Sequence, residues 1–186
     1  MLNNQLKSDL HKQQLLPILN TTNLESDIAR LKKYLNHNKS VEYIEITLRE
    51  KESFSIAVEL KKYFSDCKFG LGSVLTKEDL IRGQDHNFNF YVSPGIIEEI
   101  LEMKNPLYIP GAETVSEFIH LSKKGYEIIK FFPANLNGED KKLQSIKNIL
   151  RNIKFIPTGG VNKDNINKYL DLKNVLCVGT SNFEEF

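Results

Sequence analysis

One lysine interrupts an otherwise apolar stretch of the chain. Lys130 stands in Ile-Ile-Lys-Phe-Phe-Pro-Ala, residues 128–134, where no other side chain is polar. The β-branched and aromatic residues, ended by a proline, predict a short buried strand. Burial disfavours the charged form of a lysine, lowers its pKa in general and leaves the amine free as a nucleophile. The alternative is a lysine at a strand end whose ammonium group extends to water.

A second group of polar side chains lies on one face of another predicted strand. Residues 41–49 read Val-Glu-Tyr-Ile-Glu-Ile-Thr-Leu-Arg, so Glu45, Thr47 and Arg49 share one face and the aliphatic residues between them share the other. A carboxylate and a guanidinium on a buried face are costly unless they have a function. The alternative is a structural ion pair between Glu45 and Arg49, inside the fold or at its rim.

Short apolar runs alternate with amphipathic ones at a period of about 20–26 residues, the length of one strand and one helix. The predicted strands are Leu15–Leu19, Val41–Thr47, Lys68–Ser73, Phe88–Val92, Leu107–Ile109, Ile128–Phe131, Lys154–Pro157 and Val175–Gly179. The predicted helices are Leu24–Leu35, Ser53–Phe64, Thr76–Arg82, Ile96–Met103, Val115–Lys123, Asp140–Leu150 and Lys163–Leu170, with Ser53 and Thr76 as N-caps.

Eight strands in strict alternation with seven helices predict a parallel sheet, and eight is the number that closes a (β/α)8 TIM barrel. A doubly wound open sheet is the alternative fold. In a barrel the helices cover the outside, so Glu45, Thr47 and Arg49 are expected to point toward the axis. No linker or low-complexity stretch interrupts the pattern, which predicts a single domain over residues 1–186.

Most of the predicted strands end in glycine or hydroxyl residues. The catalytic residues of such barrels lie at the C-terminal ends of the strands, so these ends predict a site. Gly159-Gly160 and Ser181 follow the last two strands, where backbone N–H groups can approach a phosphate. The remaining ends are Gly70-Leu-Gly-Ser73, Ser93-Pro-Gly95 and Pro110-Gly111. Singly, each glycine is more often a turn residue.

Composition excludes several classes of function. The formal net charge of the 186 residues is +1, which indicates no nucleic-acid or membrane partner. Two cysteines without C-x-x-C spacing, a polar N-terminal segment and no apolar run long enough to span a bilayer favour a cytoplasmic protein. The four histidines, at positions 11, 37, 86 and 120, are not closely paired, so a metal site is not expected.

The motifs together resemble those of the bacterial KDPG aldolases, which cleave 2-keto-3-deoxy-6-phosphogluconate. The resemblance runs from about Leu15 to Asn182 with seven motifs in order. They are Glu45-Ile-Thr-Leu-Arg49, Gly70-Leu-Gly-Ser73, Ser93-Pro-Gly95, Pro110-Gly-Ala-Glu-Thr-Val-Ser-Glu117, Lys130-Phe-Phe-Pro-Ala134, Pro157-Thr-Gly-Gly160 and residues 175–181.

The resemblance implies roles for ten residues and no cofactor or metal. Lys130 corresponds to the lysine that forms a Schiff base, and Glu45 to the acid/base that moves protons. The other eight would bind substrate: Arg49, Ser73 and Thr158 around the pyruvate carboxylate, Pro94 and Phe132 along the pocket, and Gly159, Gly160 and Ser181 at the phosphate. The substrates implied are the phosphorylated keto acid, from the gluconate or galactonate series, and 4-hydroxy-2-oxoglutarate; the partner implied is a homotrimer.

This sequence departs from the family pattern in three places. Gly-Leu-Gly-Ser73 replaces the usual Gly-Ala-Gly-Thr, and residues 135–140, Asn-Leu-Asn-Gly-Glu-Asp, carry more charge than usual. Family members continue past the point that corresponds to residue 186 of this chain, into a final helix. The lack of that helix predicts apolar surface on the last strand. A partner subunit or the amphipathic residues 1–14 would then cover this surface. A phosphate-binding barrel without catalysis is the alternative function.

Overall fold

Strands and helices alternate along the computed structural model, which describes residues 4–186. The strands are β1 (Leu15–Asn20), β2 (Tyr43–Thr47), β3 (Lys68–Gly72), β4 (Phe90–Val92), β5 (Tyr108–Ile109), β6 (Gly111–Ala112), β7 (Ile128–Phe131), β8 (Lys154–Pro157) and β9 (Val178–Thr180). The helices are α1 (Asn4–Gln13), α2 (Leu24–His37), α3 (Ser53–Tyr63), α4 (Lys77–Asp85), α5 (Glu98–Glu102), α6 (Val115–Lys123), α7 (Glu139–Ile146) and α8 (Ile166–Leu170), with 3-10 turns η1 (Ala134–Leu136) and η2 (Phe183–Glu185).

The parallel strands close into a barrel. One sheet has the order β5-β4-β3-β2-β1-β9 and the other has the order β6-β7-β8. Bridges from Phe155 to Val175 and from Thr158 to Gly179 join β8 to β9. On the other side, β5 lies within the predicted strand Leu107–Ile109, and β6 continues the same strand position after Pro110, whose carbonyl accepts from the Lys130 N–H at 3.0 Å. The predicted (β/α) barrel is therefore confirmed, and the open doubly wound sheet is wrong.

Side chains alternate between two clusters along each strand. On β7, Ile129 and Phe131 pack in the outer cluster beneath the helices, whereas Ile128 packs in the inner cluster within the barrel. On β2, Ile44 and Ile46 likewise lie outside. This alternation follows from the pleat of a strand. It directs Lys130 and the polar face of β2 into the barrel, as the sequence predicts.

Helix ends follow local side-chain chemistry. Thr76 caps α4 as predicted, and its hydroxyl accepts from the Asp79 N–H at 3.1 Å. The prediction that Ser53 is an N-cap is wrong, because its hydroxyl accepts from the Glu50 N–H and bonds Thr21 instead. The last helix begins three residues later than predicted, because the Asn162 side chain accepts from the backbone at Asp164 and Asn165 and holds a turn there.

Helix α1 closes the lower end of the barrel, where the strands begin. Leu6 and Leu10 are buried in the inner cluster. Asp9 accepts from the Tyr43 hydroxyl at 2.9 Å, and Lys7 pairs with Glu127 just before β7. The suggestion that residues 1–14 cover the last strand is therefore wrong for α1, and residues 1–3 lie outside the described part of the chain.

The turn η2 covers the outer side of the last strand. Phe183 is fully buried, with its ring 4.9 Å from that of Tyr34 on α2. Arg30 stacks on Phe183 and pairs with Glu184 at 3.1 Å. Val178 on β9 is fully buried as well, so the predicted exposure of that strand is wrong. Within residues 4–186, no helix is long and apolar enough to cross a bilayer.

Candidate active site

Lys130 and Glu45 form a buried ion pair inside the barrel. The Nζ atom of Lys130 donates to Oε1 of Glu45 at 3.0 Å, and the side chains are 7% and 1% exposed. Glu45 is therefore paired with Lys130 and not with Arg49, which removes the alternative of a Glu45–Arg49 ion pair. Removing one member of such a pair is strongly destabilising, because the other charge is left without a counterion.

The space around the Glu45 carboxylate depends on a glycine. Gly72 ends the neighbouring strand β3 and is paired with Thr47. A Cβ atom on Gly72 would overlap the Glu45 carboxylate. Cys177 lies on another side, where burial and then the negative charge of Glu45 raise the pKa of its thiol. Cys177 is therefore a protonated, fully buried core residue, as its apolar surroundings in the sequence indicate.

A cleft of about 180 Å³ opens above the ion pair at the C-terminal ends of the strands. Seven of the ten predicted site residues line it: Arg49, Lys130, Phe132, Thr158, Gly159, Gly160 and Ser181. Lys130 reaches the floor of this cleft, and its Nζ lies 5.5 Å from the centre of the Phe132 ring. The ammonium group thus donates one hydrogen bond to the Glu45 carboxylate, and its other side faces the space that a ligand would occupy.

Arg49 supplies a positive charge at the rim of the cleft. Its Nε donates to the Ser73 hydroxyl at 3.4 Å, and the side chain is exposed. Ser73 has a φ of 56°, a left-handed conformation that costs a residue with a side chain about 1–2 kcal/mol. The strained turn directly after β3 brings this hydroxyl to Arg49. The two groups can therefore act together on an anion.

The opposite side of the cleft is built from backbone turns. Gly159 and Gly160 have φ values of 96° and 73°, and a Cβ on Gly160 would overlap Asn135. Thr158 is bridged to Gly179, which leads to Ser181. Exposed N–H groups in such turns bind anions well. Gly159, Gly160 and Ser181 thus line the same cleft as Thr158 and Lys130.

Pro94 lies in the turn after β4, and its backbone packs against Gly111, the strand partner of Lys130. A Cβ at position 111 would overlap the Pro94 carbonyl, so this close approach requires glycine. Pro94 therefore supports the strand beside Lys130. Its role along the pocket stays a prediction.

Comparison with known proteins identifies the family of this chain. A family model described as "Aldolase: KDPG and KHG aldolase" matches residues 6–186. The chain belongs to the KDPG and KHG aldolase family. It is thus an aldolase, a carbon–carbon lyase, and the resemblance seen in its motifs is confirmed.

Relatives of this aldolase are similar over most of their length. The KHG/KDPG aldolase of Escherichia coli K12 is 37% identical over 145 residues, which cover 76% of this chain and 68% of the relative. The 2-dehydro-3-deoxy-phosphogluconate aldolase of Pseudomonas aeruginosa is 31% identical over 170 residues, 89% of this chain and 76% of that one. The KDPG aldolase of Legionella pneumophila, solved with pyruvate captured as a covalent carbinolamine intermediate, superposes with a TM-score of 0.87 at 30% identity, covering 94% of this chain and 85% of that chain.

The cleft of this aldolase also contains residues that the sequence analysis did not single out. They are Ile18, Asn20, Val161, Thr180 and Asn182. Among the residues of this set that lie on a strand, Asn20 is the most polar. It is the last residue of β1 and is paired with Thr47, the last residue of β2. Polar residues at strand ends were the signal for the other positions, and the same signal at the end of the first strand points to Asn20.

Proposed function

We propose that this aldolase is a class I enzyme that cleaves 2-dehydro-3-deoxy-6-phosphogluconate to pyruvate and D-glyceraldehyde 3-phosphate through a Schiff base on Lys130. The single observation that carries the proposal is the buried pair of Lys130 and Glu45 at the floor of the cleft. An amine that can pass a proton to an adjacent carboxylate becomes a nucleophile toward a ketone. A structural lysine has no need to open onto such a cleft.

The reaction follows from the positions of these two groups. The neutral amine of Lys130 attacks the 2-keto carbon and gives a carbinolamine, which loses water with Glu45 as the acid and becomes an iminium ion. Glu45 then takes the proton of the C4 hydroxyl as the C3–C4 bond breaks. The aldehyde leaves, and the bonding electrons pass to the enamine. Protonation at C3 and hydrolysis of the imine release pyruvate and restore the amine.

The rest of the cleft suits the two ends of this substrate. Arg49, with Ser73 and Thr158, would hold the carboxylate beside the keto group, since a guanidinium binds carboxylates well. Gly159, Gly160 and Ser181 would bind the phosphate through N–H and hydroxyl groups. Phe132 would cover the apolar side of the reacting carbons. The covalent pyruvate adduct in the Legionella relative supports this chemistry.

The proposal extends to the setting of the enzyme. It would act in the Entner–Doudoroff pathway in the cytoplasm as a homotrimer, without a cofactor. The name of the Escherichia coli relative, KHG/KDPG aldolase, supports a second substrate, 4-hydroxy-2-oxoglutarate, which would give pyruvate and glyoxylate. The galactonate-derived epimer is the competing phosphorylated substrate. Steady-state rates on the three compounds rank them, and light scattering gives the oligomeric state.

Borohydride trapping tests the mechanism directly. Incubation with pyruvate and sodium borohydride should reduce an imine to a stable adduct, and peptide mass spectrometry should place it on Lys130. Omission of either reagent is the control. An unmodified Lys130 would contradict the Schiff-base mechanism and would favour a barrel that binds phosphate without catalysis.

A further inference from the structure

Asn20 presents a hydrogen-bonding group to the cleft that the mechanism above does not use. The residue lines the cleft together with Lys130, Thr158 and Ser181. Its amide oxygen accepts a hydrogen bond from the Thr47 hydroxyl at 2.9 Å, and its backbone carbonyl accepts one from Arg30. Within residues 4–186, the Nδ2 group of Asn20 donates no hydrogen bond. The side chain is therefore fixed by its oxygen while its two N–H donors remain available.

The register of the strands places this donor at a defined depth. Ile18 is paired with Glu45 and Asn20 with Thr47, so Asn20 is one inward-facing position nearer to the mouth than Glu45. Two residues along a strand correspond to about 6.6 Å. The donor is thus nearer to the mouth than the carboxylate that would serve the C4 hydroxyl, and it lines the same cleft as Ser181 at the proposed phosphate end. The substrate atoms between those two levels are C5 and its hydroxyl.

We propose that Asn20 is a specificity-determining residue that donates an amide hydrogen bond to the C5 hydroxyl of the phosphorylated substrate, with Thr47 as the residue that positions it. This inference rests on the proposed function. It predicts that Asn20 discriminates between the two candidate substrates by geometry, because C5 of the phosphorylated substrate is tetrahedral and carries one hydroxyl, whereas C5 of 4-hydroxy-2-oxoglutarate is a planar carboxylate carbon whose oxygens point in other directions. A site that hydrogen-bonds a hydroxyl selects against compounds that lack it.

The test compares Asn20→Leu, which keeps most of the volume, with the wild type on both substrates. The value of kcat/KM for the phosphorylated substrate should fall about 2- to 13-fold, the effect of one neutral hydrogen bond. The value for 4-hydroxy-2-oxoglutarate should change less than about twofold. Equal losses on both substrates, or no loss on either, would overturn the proposal.

Thr47→Val tests whether Thr47 acts by positioning Asn20 or affects the site independently of it. Alone it should lower kcat/KM for the phosphorylated substrate by less than Asn20→Leu does, and in the double variant it should add nothing, since its hydroxyl acts only through Asn20. Additive losses would overturn the positioning role.

Pyruvate trapping on Lys130 should be unchanged in all three variants. Failure of trapping in the wild type would instead reject the proposed function, and this result is distinct from a failure of the Asn20 proposal.

Discussion

Lys130 and Glu45 are in contact at the centre of the barrel although they come from opposite sides of it. The strands that carry them, β7 and β2, are four positions apart in a closed ring of eight. Their side chains nevertheless meet at 3.0 Å. The contact therefore depends on closure of the ring, which brings these two strands to face each other.

Lys130→Ala should abolish turnover and trapping. Loss of the covalent nucleophile is expected to lower kcat by at least about 10⁴-fold. Since Glu45 then lacks its cation, stability should fall by about 3–5 kcal/mol, measured by urea denaturation at neutral pH. Lys141→Ala removes an exposed lysine and is the control, with rate and stability near the wild type. Turnover by Lys130→Ala at the wild-type rate would remove the mechanism.

Glu45→Gln should separate imine formation from proton transfer. The neutral amide keeps the shape of the side chain but cannot act as a base, so kcat should fall by roughly 10²–10⁴-fold. Pyruvate trapping on Lys130 should persist at a reduced rate, as measured by intact-protein mass spectrometry. A variant that turns over normally would show that the proton is moved by another group.

Gly72→Ala should damage the site by a steric effect alone. The added methyl group overlaps the Glu45 carboxylate, and overpacking of a buried position costs about 1–3 kcal/mol. Displacement of the carboxylate should also lower kcat more than it raises KM. Gly95→Ala makes the same chemical change where no atom lies within 4 Å of the new Cβ. Similar kinetics for the two variants would show that Glu45 does not need the space that Gly72 leaves.

Gly160→Ala tests the proposed phosphate end. It introduces a side chain at a φ of 73° and against Asn135, whereas Gly125→Ala introduces one at a φ of 90° into open space. Both should lose about 1–2 kcal/mol of stability from backbone strain, and Gly160→Ala should lose more because its new methyl group overlaps Asn135. Only Gly160→Ala should raise KM, and it should do so more for the phosphorylated substrate than for 4-hydroxy-2-oxoglutarate. An equal rise for both substrates would argue against a phosphate role.

Tyr169→Phe should stabilise the protein, most strongly at high pH. Within residues 4–186 the Tyr169 hydroxyl has no hydrogen-bond partner, and an unpaired buried donor costs about 1–3 kcal/mol. Burial raises the pKa of Tyr169 from 10.0 to about 12. The unfolded chain therefore loses this proton first, so the free energy of unfolding of the wild type declines as pH rises from 10 to 12.

The comparison is urea denaturation at pH 8 and pH 11 for Tyr169→Phe and Tyr108→Phe. The Tyr108 hydroxyl is bonded to Ser93 at 2.6 Å, so its loss should destabilise by roughly 1 kcal/mol at pH 8. Tyr169→Phe should instead gain stability at pH 8 and gain more at pH 11. A loss at both pH values would show that the hydroxyl is satisfied in solution.

Local patterns predicted the elements because their causes are local. The helix over Val115–Lys123 was predicted to the residue, and strict alternation along β2 placed Glu45 inside the barrel. The partner of Glu45 could not be read from β2 alone, since it depends on the closure of the ring. For the same reason, the importance of Gly72 is visible only once the carboxylate lies against it.

Predictions failed where one residue had two possible partners. Ser53 has the sequence signature of an N-cap, yet its hydroxyl bonds Thr21, a residue 32 positions away. The amphipathic residues 1–14 were expected to cover the last strand, but an amphipathic face alone does not specify which surface it covers. Helix α1 packs instead against the inner cluster at the lower end of the barrel, where Leu10 is fully buried.

The position of α1 leaves the products of the proposed reaction one route out of the barrel. With the lower end sealed by Leu6 and Leu10, a ligand enters and exits through one mouth. In the proposed reaction, glyceraldehyde 3-phosphate forms on the mouth side while the three-carbon fragment is still tethered to Lys130 at the base. The aldehyde must diffuse away first, and free pyruvate must follow.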